Sequence, residues 1–399
     1  MKFDELNINQ KLKDKTVEKG FEELTTIQEE CIPEIIKGKD VVGQAETGSG
    51  KTVAFCLPIL DKIKPREGLQ TVVLTPTREL CIQVTDVFKE FGEELKIKTT
   101  SIYGGVGIEP QIKKIKTSHI VVGTPGRMLD HLRRKTMNLG GIRFLILDET
   151  DKMLEMGFID DVEKIINYTP KSNRQTLMFS ATIERNIDRL MHRHLKHPKI
   201  IKTQSQVDES KLEQVYYDIY DRENKFSILV HLLKNKTDGL AIVFCATRRE
   251  CDIVEKNLRD HDINATAIHG GMSQNKRTRS LERLKEQKTD VLVATDVAAR
   301  GLDIQNVTHV YHYDVPKTDT DYIHRIGRTA RAGAKGTAVT LLTEPDHDNF
   351  RRVQSNKELN IEEADFPKFK KVSFSRKILH RKRQHKHKRW GKKRNKRSH

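Results

Sequence analysis

Cysteine is scarce in this chain: five residues, at 31, 56, 81, 245 and 251, with no Cys-x-x-Cys spacing among them. An odd count without that spacing speaks against a zinc site, a redox motif or a disulfide framework. Cys56, within Ala54-Phe55-Cys56-Leu57, reads as a small buried hydrophobe in a reducing compartment. No run of eighteen apolar residues occurs, so no segment reads as a membrane-spanning helix. The opening Met1-Lys2-Phe3-Asp4-Glu5 has no apolar h-region or small-residue cleavage site, so a cytoplasmic location with no membrane partner is expected. Aromatics make up 6% of the residues, with a single tryptophan, Trp390, which leaves little for base stacking. Acidic charge is missing from one end. From Lys368 to His399 there are 16 Lys and Arg and no Asp or Glu; set against the formal +17, they leave +1 for residues 1 to 367. A near-neutral body with a polycationic end predicts an acidic polymer as partner.

What is present is alternation. Short apolar runs at 40–43, 71–74, 119–122, 143–147 and 176–179 recur in the second half at 240–244, 265–268, 291–294, 307–311 and 337–342. Runs of this length, rich in Val and Ile, read as strands buried on both faces. Between them lie segments with apolar spacing of three and four, such as 79–91 and 249–258. Strand–helix alternation predicts an α/β fold with mostly parallel sheets covered by helices on both faces. Two sheets fit ten such strands better than one. The expected division is 1–204 and 211–365, joined by a polar linker at 205–210 and followed by a disordered basic tail at 366–399.

Ligands in such sheets bind beyond the carboxyl ends of the strands, so the loop after each run carries the chemistry. Ala45-Glu46-Thr47-Gly48-Ser49-Gly50-Lys51-Thr52 comes after a strand and opens a helical stretch, which is the pattern of a phosphate-binding loop. Backbone amides of Gly48, Ser49, Gly50, Lys51 and Thr52 would cradle phosphate oxygens, Lys51 would add a point charge, and Thr52 would offer a hydroxyl to Mg²⁺. Asp148-Glu149 caps the most hydrophobic strand of the first half. That pair suits a metal-holding Asp148 and a Glu149 that polarises the attacking water. Together the two signals predict a nucleotide triphosphatase. His324-Arg325-Ile326-Gly327-Arg328-Thr329-Ala330-Arg331 then reads as an arginine finger supplied across a cleft, worth roughly 10³–10⁵ in rate.

These motifs resemble those of the DEAD-box RNA helicases of superfamily two over about residues 1 to 350, which implies two tandem RecA-like domains. Phe21, Thr25, Ile27 and Gln28 look like the family's adenine motif, so the resemblance implies ATP, with Gln28 reading the base edge and Phe21 packing on it. Pro76-Thr77-Arg78, Gly104-Gly105 and Thr124-Pro125-Gly126-Arg127 are similar to its first-domain RNA-binding motifs. His269-Gly270, Gln274 with Arg277, and Thr295-Asp296 are similar to the RNA-facing motifs of its second domain. Gly301, Asp303, Arg328 and Arg331 match its ATP-facing ones, and Ser180-Ala181-Thr182 the motif linking hydrolysis to RNA opening. Departures are Leu24 and Thr26 where prolines are usual, and Thr150 where the family has Ala in the tetrapeptide Asp148-Glu149-Thr150-Asp151. Thr150 adds a methyl and a hydroxyl beside the hydrogen bonds that Asp151 is implied to make with Ser180 and Thr182, and so bears on coupling.

The expected activity is ATP hydrolysis with Mg²⁺, stimulated by RNA, with local duplex opening driven by domain closure. Hydroxyls, glycine amides and arginines dominate the RNA motifs, so backbone contacts and weak sequence readout are expected. No heptads or added dimerisation domain are evident, so a monomer is expected. Two other readings compete: a DNA translocase of the same superfamily, separable by comparing RNA with DNA as ATPase activator, and an RNA chaperone working through the tail, whose annealing would survive Lys51→Ala. If about six tail cations meet phosphates, affinity falls roughly 300-fold from 50 to 200 mM salt. Deleting residues 368–399 is expected mainly to raise the KM for RNA; an unchanged KM at low salt contradicts a tether.

Overall fold

The computed structural model describes residues 1–376 except 46–47, 184, 204–210, 237–238, 300–303, 305 and 331–334. The expected linker at 205–210 therefore lies outside the described residues, as does the tail beyond 376. Strands β1 (Val41–Gln44), β2 (Thr71–Leu74), β3 (Thr99–Ile102), β4 (Ile120–Gly123), β5 (Phe144–Leu147), β6 (Gln175–Ser180) and β7 (Lys199–Lys202) form one sheet. Its order is β3-β4-β2-β5-β6-β1-β7, and every pairing is parallel. The second sheet contains β8 (Leu212–Asp218), β9 (Leu240–Phe244), β10 (Ala265–Ile268), β11 (Val291–Ala294), β12 (Val307–His312), β13 (Gly336–Leu342) and β14 (Glu362–Glu363). Its order is β10-β11-β9-β12-β13-β8-β14, again all parallel.

The continuous apolar runs arise from burial on both faces. Along β2, Val73 enters one core cluster while Val72 and Leu74 enter the other. Helices Lys51–Lys62 and Arg78–Gly92 cover the first face through Phe55 and Phe88; Pro125–Arg133 and Ile159–Asn167 cover the second through Met128 and Val162. In the second sheet Ala241 and Val243 face one cluster, and Leu240, Ile242 and Phe244 the other. Each fully buried valine or leucine contributes about 1.5–3 kcal/mol of transfer free energy.

Four strands were not among the sequence expectations, and each has a physical reason. β3 is Thr-Thr-Ser-Ile at a sheet edge, with too few apolar residues to register as a run. β7, also an edge, exposes three of its four residues. β8, Leu-Glu-Gln-Val-Tyr-Tyr-Asp, breaks its apolar residues with Glu213 and Gln214, and β14 has only two residues, both Glu. The hydrophobic run marks strands buried on both faces; these four are held by pairing instead.

The expected tail began at 366, but residues 366–376 lie along the second domain. Phe369, Val372 and Phe374 pack against its core cluster, with the Phe374 ring centroid 4.7 Å from that of Phe226. Polar bonds fix the register: Val372 N donates to Ser227 Oγ (3.1 Å), and Asn257 exchanges hydrogen bonds with both backbone groups of Ser375 (2.8 and 2.9 Å). This strap is therefore part of the domain, and a test of the tail must begin after it. Removing 377–399 is expected to leave thermal stability unchanged. Phe374→Ala, which strips a partly buried ring, is expected to cost the second domain about 1–3 kcal/mol, measurable by denaturant titration.

Candidate functional site

Strand order decides which loops meet. β5 lies between β2 and β6, with β1 beyond β6, so the segments after Leu74, Leu147, Ser180 and Gln44 share one stretch of the carboxyl edge. The phosphate loop leaves β1 and enters helix Lys51–Lys62 through Gly48 and Gly50, both at φ 93°. A side chain at Gly50 would place its Cβ 2.5 Å from Gln28 Nε2 and 2.9 Å from Thr25 Oγ1, so conformation and space both demand glycine. Those neighbours clamp the loop: Thr25 Oγ1 donates to Ser49 O (2.8 Å) and Gln28 Nε2 to Gly50 O (3.1 Å). Gln28 Oε1 accepts from Thr25 N (3.0 Å), completing a capping box on helix Thr26–Ile36. The amide of Gln28 thus ties the start of this helix to the phosphate loop. Phe21 remains 38% exposed, its ring 6.0 Å from Phe3 and 6.4 Å from Phe91. Lys51 is buried and donates to Ala45 O (2.6 Å), Ser49 is buried, and Thr52 is half-buried beside them.

Asp148 ends β5 in full burial, and that burial pushes its carboxyl up to about 7. Lys51 opposes the shift, while Glu149 and Asp151 add to it. Glu149 sits in the left-handed region (φ 49°, ψ 54°), a conformation that costs a non-glycine residue roughly 1–3 kcal/mol. It starts helix Thr150–Glu155 and donates its own amide to Asp148 Oδ1 (3.0 Å). Two buried acids facing a lysine and a glycine-rich loop form a cluster able to take a divalent cation and a polyphosphate.

The residue that departs from the family pattern is accommodated. Thr150 is buried, and its hydroxyl donates to Leu147 O at 3.3 Å. The coupling bonds differ in detail from those the resemblance implied. Asp151 N donates to Ser180 Oγ (3.2 Å), the Asp151 carboxylate accepts from Ala181 N (3.2 Å), and Thr182 takes part through its carbonyl, which accepts from Ser180 Oγ (2.7 Å).

The two sheets meet through residues read as RNA-binding. Arg78 Nη1 donates to Gln274 Oε1 (3.3 Å), and Arg277 pairs with Glu79 at 2.8 Å. The Arg78 guanidinium lies over Gly105, where any added Cβ would overlap it, with Gly104 alongside. Thr77, next to Pro76, caps helix Arg78–Gly92 by accepting from Leu80 N (3.2 Å). Thr124 precedes Pro125 and Gly126 at the start of the next helix, and Gly126 has nothing within 4 Å of a built Cβ, leaving bare backbone. Arg127 is turned inward to Gln111 Oε1 (3.2 Å) and Val106 O (3.1 Å). His269 is buried, with Nε2 on Asp252 (2.9 Å) and Nδ1 accepting from Gly271 N (3.2 Å), so its imidazole braces the turn carrying Gly270 instead of facing solvent. The Asp296 carboxylate, next to Thr295, is gripped by Arg325 through bonds of 2.6 and 2.8 Å. Arg325, part of the arginine-rich segment read as the finger, is thus engaged by Asp296.

A third bridge joins the sheets at the acidic centre: Lys152 Nζ lies 2.8 Å from His324 Nδ1, four residues before the buried Arg328. Gly301, Asp303 and Arg331 lie outside the described residues. Glu79 and Arg325 lie inside motifs read from the sequence and Lys152 beside one, but their pairings carried no signal, since the partners stand 198, 29 and 172 positions away along the chain.

The model of the DEAD/DEAH box helicase family matches residues 25–190, and that of the helicase conserved C-terminal domain matches 224–333. The DEAD-box ATP-dependent RNA helicase CshA of Bacillus cereus is 43% identical over 368 residues, 92% of this chain and 70% of that protein. Dbp5 of S. cerevisiae, bound to RNA and ADP BeF3, is 29% identical, with a TM-score of 0.83 over 91% of this chain and 95% of its own. A DEAD box protein from the hyperthermophile Methanococcus jannaschii is 40% identical over 92% of this chain and 99% of its own, yet its TM-score is 0.55. The less identical neighbour superposes better over both sheets, so the arrangement of the two domains resembles that of the RNA- and nucleotide-bound protein.

The raised carboxyl of Asp148 has a thermodynamic consequence. Its folded form holds a proton more tightly than the unfolded chain, so stability is lost as pH rises from 3.8 through about 7. In the ligand-free protein Asp148→Asn is expected to raise the Tm by at least about 3 °C near pH 8 and to change it little near pH 4.5, as checked by thermal scans at both.

Proposed function

This chain belongs to the DEAD-box family of ATP-dependent RNA helicases, and from that premise we propose how its residues divide the work. ATP lies with its phosphates on the amides of Gly48 to Thr52 and on Lys51, which leaves the Ala45 carbonyl to meet them. Phe21 flanks the base. Gln28, by clamping the loop through Gly50, couples the base end of the site to the phosphate end. Asp148 and Thr52 would hold Mg²⁺, and the fit rests on Asp148 itself: a buried carboxylate whose carboxyl is lifted to about 7 gains most from a dication. When bound, that ion neutralises phosphate charge. Glu149, held in its unusual backbone conformation, aligns and deprotonates the attacking water. Arg328, with Arg331, supports the developing negative charge on the γ-phosphate from the second domain.

The observation that carries this reading is the Lys152–His324 bridge. It sets the helix that precedes Arg328 against the helix that starts beside Asp148 and Glu149. RNA lies along the surface where Arg78 and Gln274 meet, with the bare backbone at Gly126 and the glycine turn at Gly270 taking phosphate and 2′-hydroxyl contacts. ATP and RNA both favour the closed arrangement, so each tightens the other's binding. Asp151, Ser180 and Thr182 link the acidic centre to the β6 loop, with Thr150 absorbed by its own hydrogen bond. All groups named come from one chain, so the working unit proposed is a monomer, and the polycationic end serves as a tether for structured RNA. Five free, buried cysteines fit a reducing cytoplasm.

ATP hydrolysis measured with and without RNA tests the assignment. Strong RNA stimulation is expected, and Glu149→Gln is expected to lower the stimulated rate by about 10² or more while ATP still binds. Thr150→Ala is expected to leave that rate within about threefold, since no bond to Asp151 or Ser180 passes through Thr150. Tight RNA binding without stimulated hydrolysis, or equal stimulation by DNA of the same sequence, would overturn the reading.

A further inference from the structure

A cavity of about 930 Å³ opens at the amino-terminal edge of the first sheet, opposite the phosphate loop. The starts of β1, β5 and β6 form its floor through Asp40, Arg143 and Gln175. Lys62, Arg174 and Lys196 complete a ring of cations with Arg143. The two carboxylates that line it are committed to backbone amides. Asp40 accepts from Thr176 N and Lys196 N (2.7 Å each), and Asp61 accepts from Asn9 N (2.8 Å).

The cations are less well provided for. Among the described residues, Lys62, Arg174 and Lys196 have no carboxylate at ion-pair distance. Lys62 Nζ donates to Ile35 O (2.8 Å), Lys196 Nζ to Ser172 O (2.5 Å), and Arg174 to the Thr169 hydroxyl (2.5 Å) and His194 O (3.0 Å). Arg143 reaches Glu67 only at 3.4 Å and stacks over Phe144 at 5.4 Å. Burial lowers the basicity of Lys62 and Arg174; Asp61 offsets part of this for Lys62 and Asp40 for Arg174, while Arg143 lowers Lys62 further. Like charges gathered in a concavity, with Arg143 paired only with Glu67 and the other three bonded to neutral oxygens, repel one another until an anion enters.

We propose that this cavity binds a small anion carrying two or more phosphates, gripped by Lys62, Arg143 and Lys196 with Arg174 as backing charge. Several separated cations around so large a volume suit a polyphosphate better than a single carboxylate. The position lies at the opposite edge of the sheet from the Arg78–Gln274 surface assigned to RNA, which favours a separate small ligand over the RNA strand.

The test is calorimetric titration of inorganic pyrophosphate, without magnesium, into full-length Lys51→Ala protein, in which the phosphate loop is disabled. A one-to-one binding event is expected to survive that change. Adding Arg143→Glu or Lys62→Gln is expected to weaken it about tenfold or more, roughly one lost charge-assisted contact. With Lys51 intact, the same two variants are expected to keep RNA-stimulated ATP hydrolysis within about twofold, which shows that they fold. An event unchanged by both cavity variants comes from the basic end and overturns the proposal. So does the absence of any event, or a loss of single-stranded RNA affinity with pyrophosphate binding intact.

Discussion

A carboxylate at the end of a strand covered on both faces is tolerated only where something else repays its lost hydration, and Asp148 is held in that position by the strand order itself. β5 carries it between β2 and β6, so the water that would solvate it is displaced by protein on either side. Lys51 compensates in part and is itself supplied by the neighbouring loop after β1. The glycines of that loop, the left-handed Glu149 and the clamp from Thr25 and Gln28 all serve to bring one lysine and two acids together without water between them. Ligand binding completes a charge balance that the folded chain leaves open.

The chemistry that was legible in the sequence lies in contiguous stretches: a glycine-rich loop after a strand, an acidic pair after another, an arginine-rich segment in the second half. Central strands were legible for the same reason, since burial on both faces leaves no polar interruption. Pairings across the chain were not. Nothing near His269 announces that Asp252 will hold its ring, nor does Asp296 announce Arg325. Gln28 was read as a base-edge contact because its identity fits that role; its bond to the phosphate loop depends on where Gly50 falls in space. The strap escaped notice because Phe369, Val372 and Phe374 are spaced among lysines, so charge masked an apolar stripe that only docking reveals.

Among the described residues, polar bridges between the sheets include Arg78 to Gln274, Arg277 to Glu79, and Lys152 to His324. Each is worth about 0.5–1.5 kcal/mol before the cost of ordering the groups that make it. The Arg277–Glu79 pair is less comfortable than its distance suggests, since Arg277 Nε and Glu79 Oε1 are buried without hydrogen bonds. Bridges of this size can be tipped by ligands that bind across them, as a closure that responds to two ligands requires.

The strap also bears on how the molecule is made. Residues 366–376 are synthesised after every strand they cover, and Phe374 is the partner against which Phe226 rests. During translation the first domain has its full complement of strands early, whereas the second, its core already covered by helices Asn224–Asn235 and Arg248–Asp260, waits for the strap that completes this face. At about 5–20 residues per second that interval lasts seconds, long enough for the incomplete face to meet another nascent chain. The order of residues along the polypeptide thus makes the covering of the second domain the later event of the two.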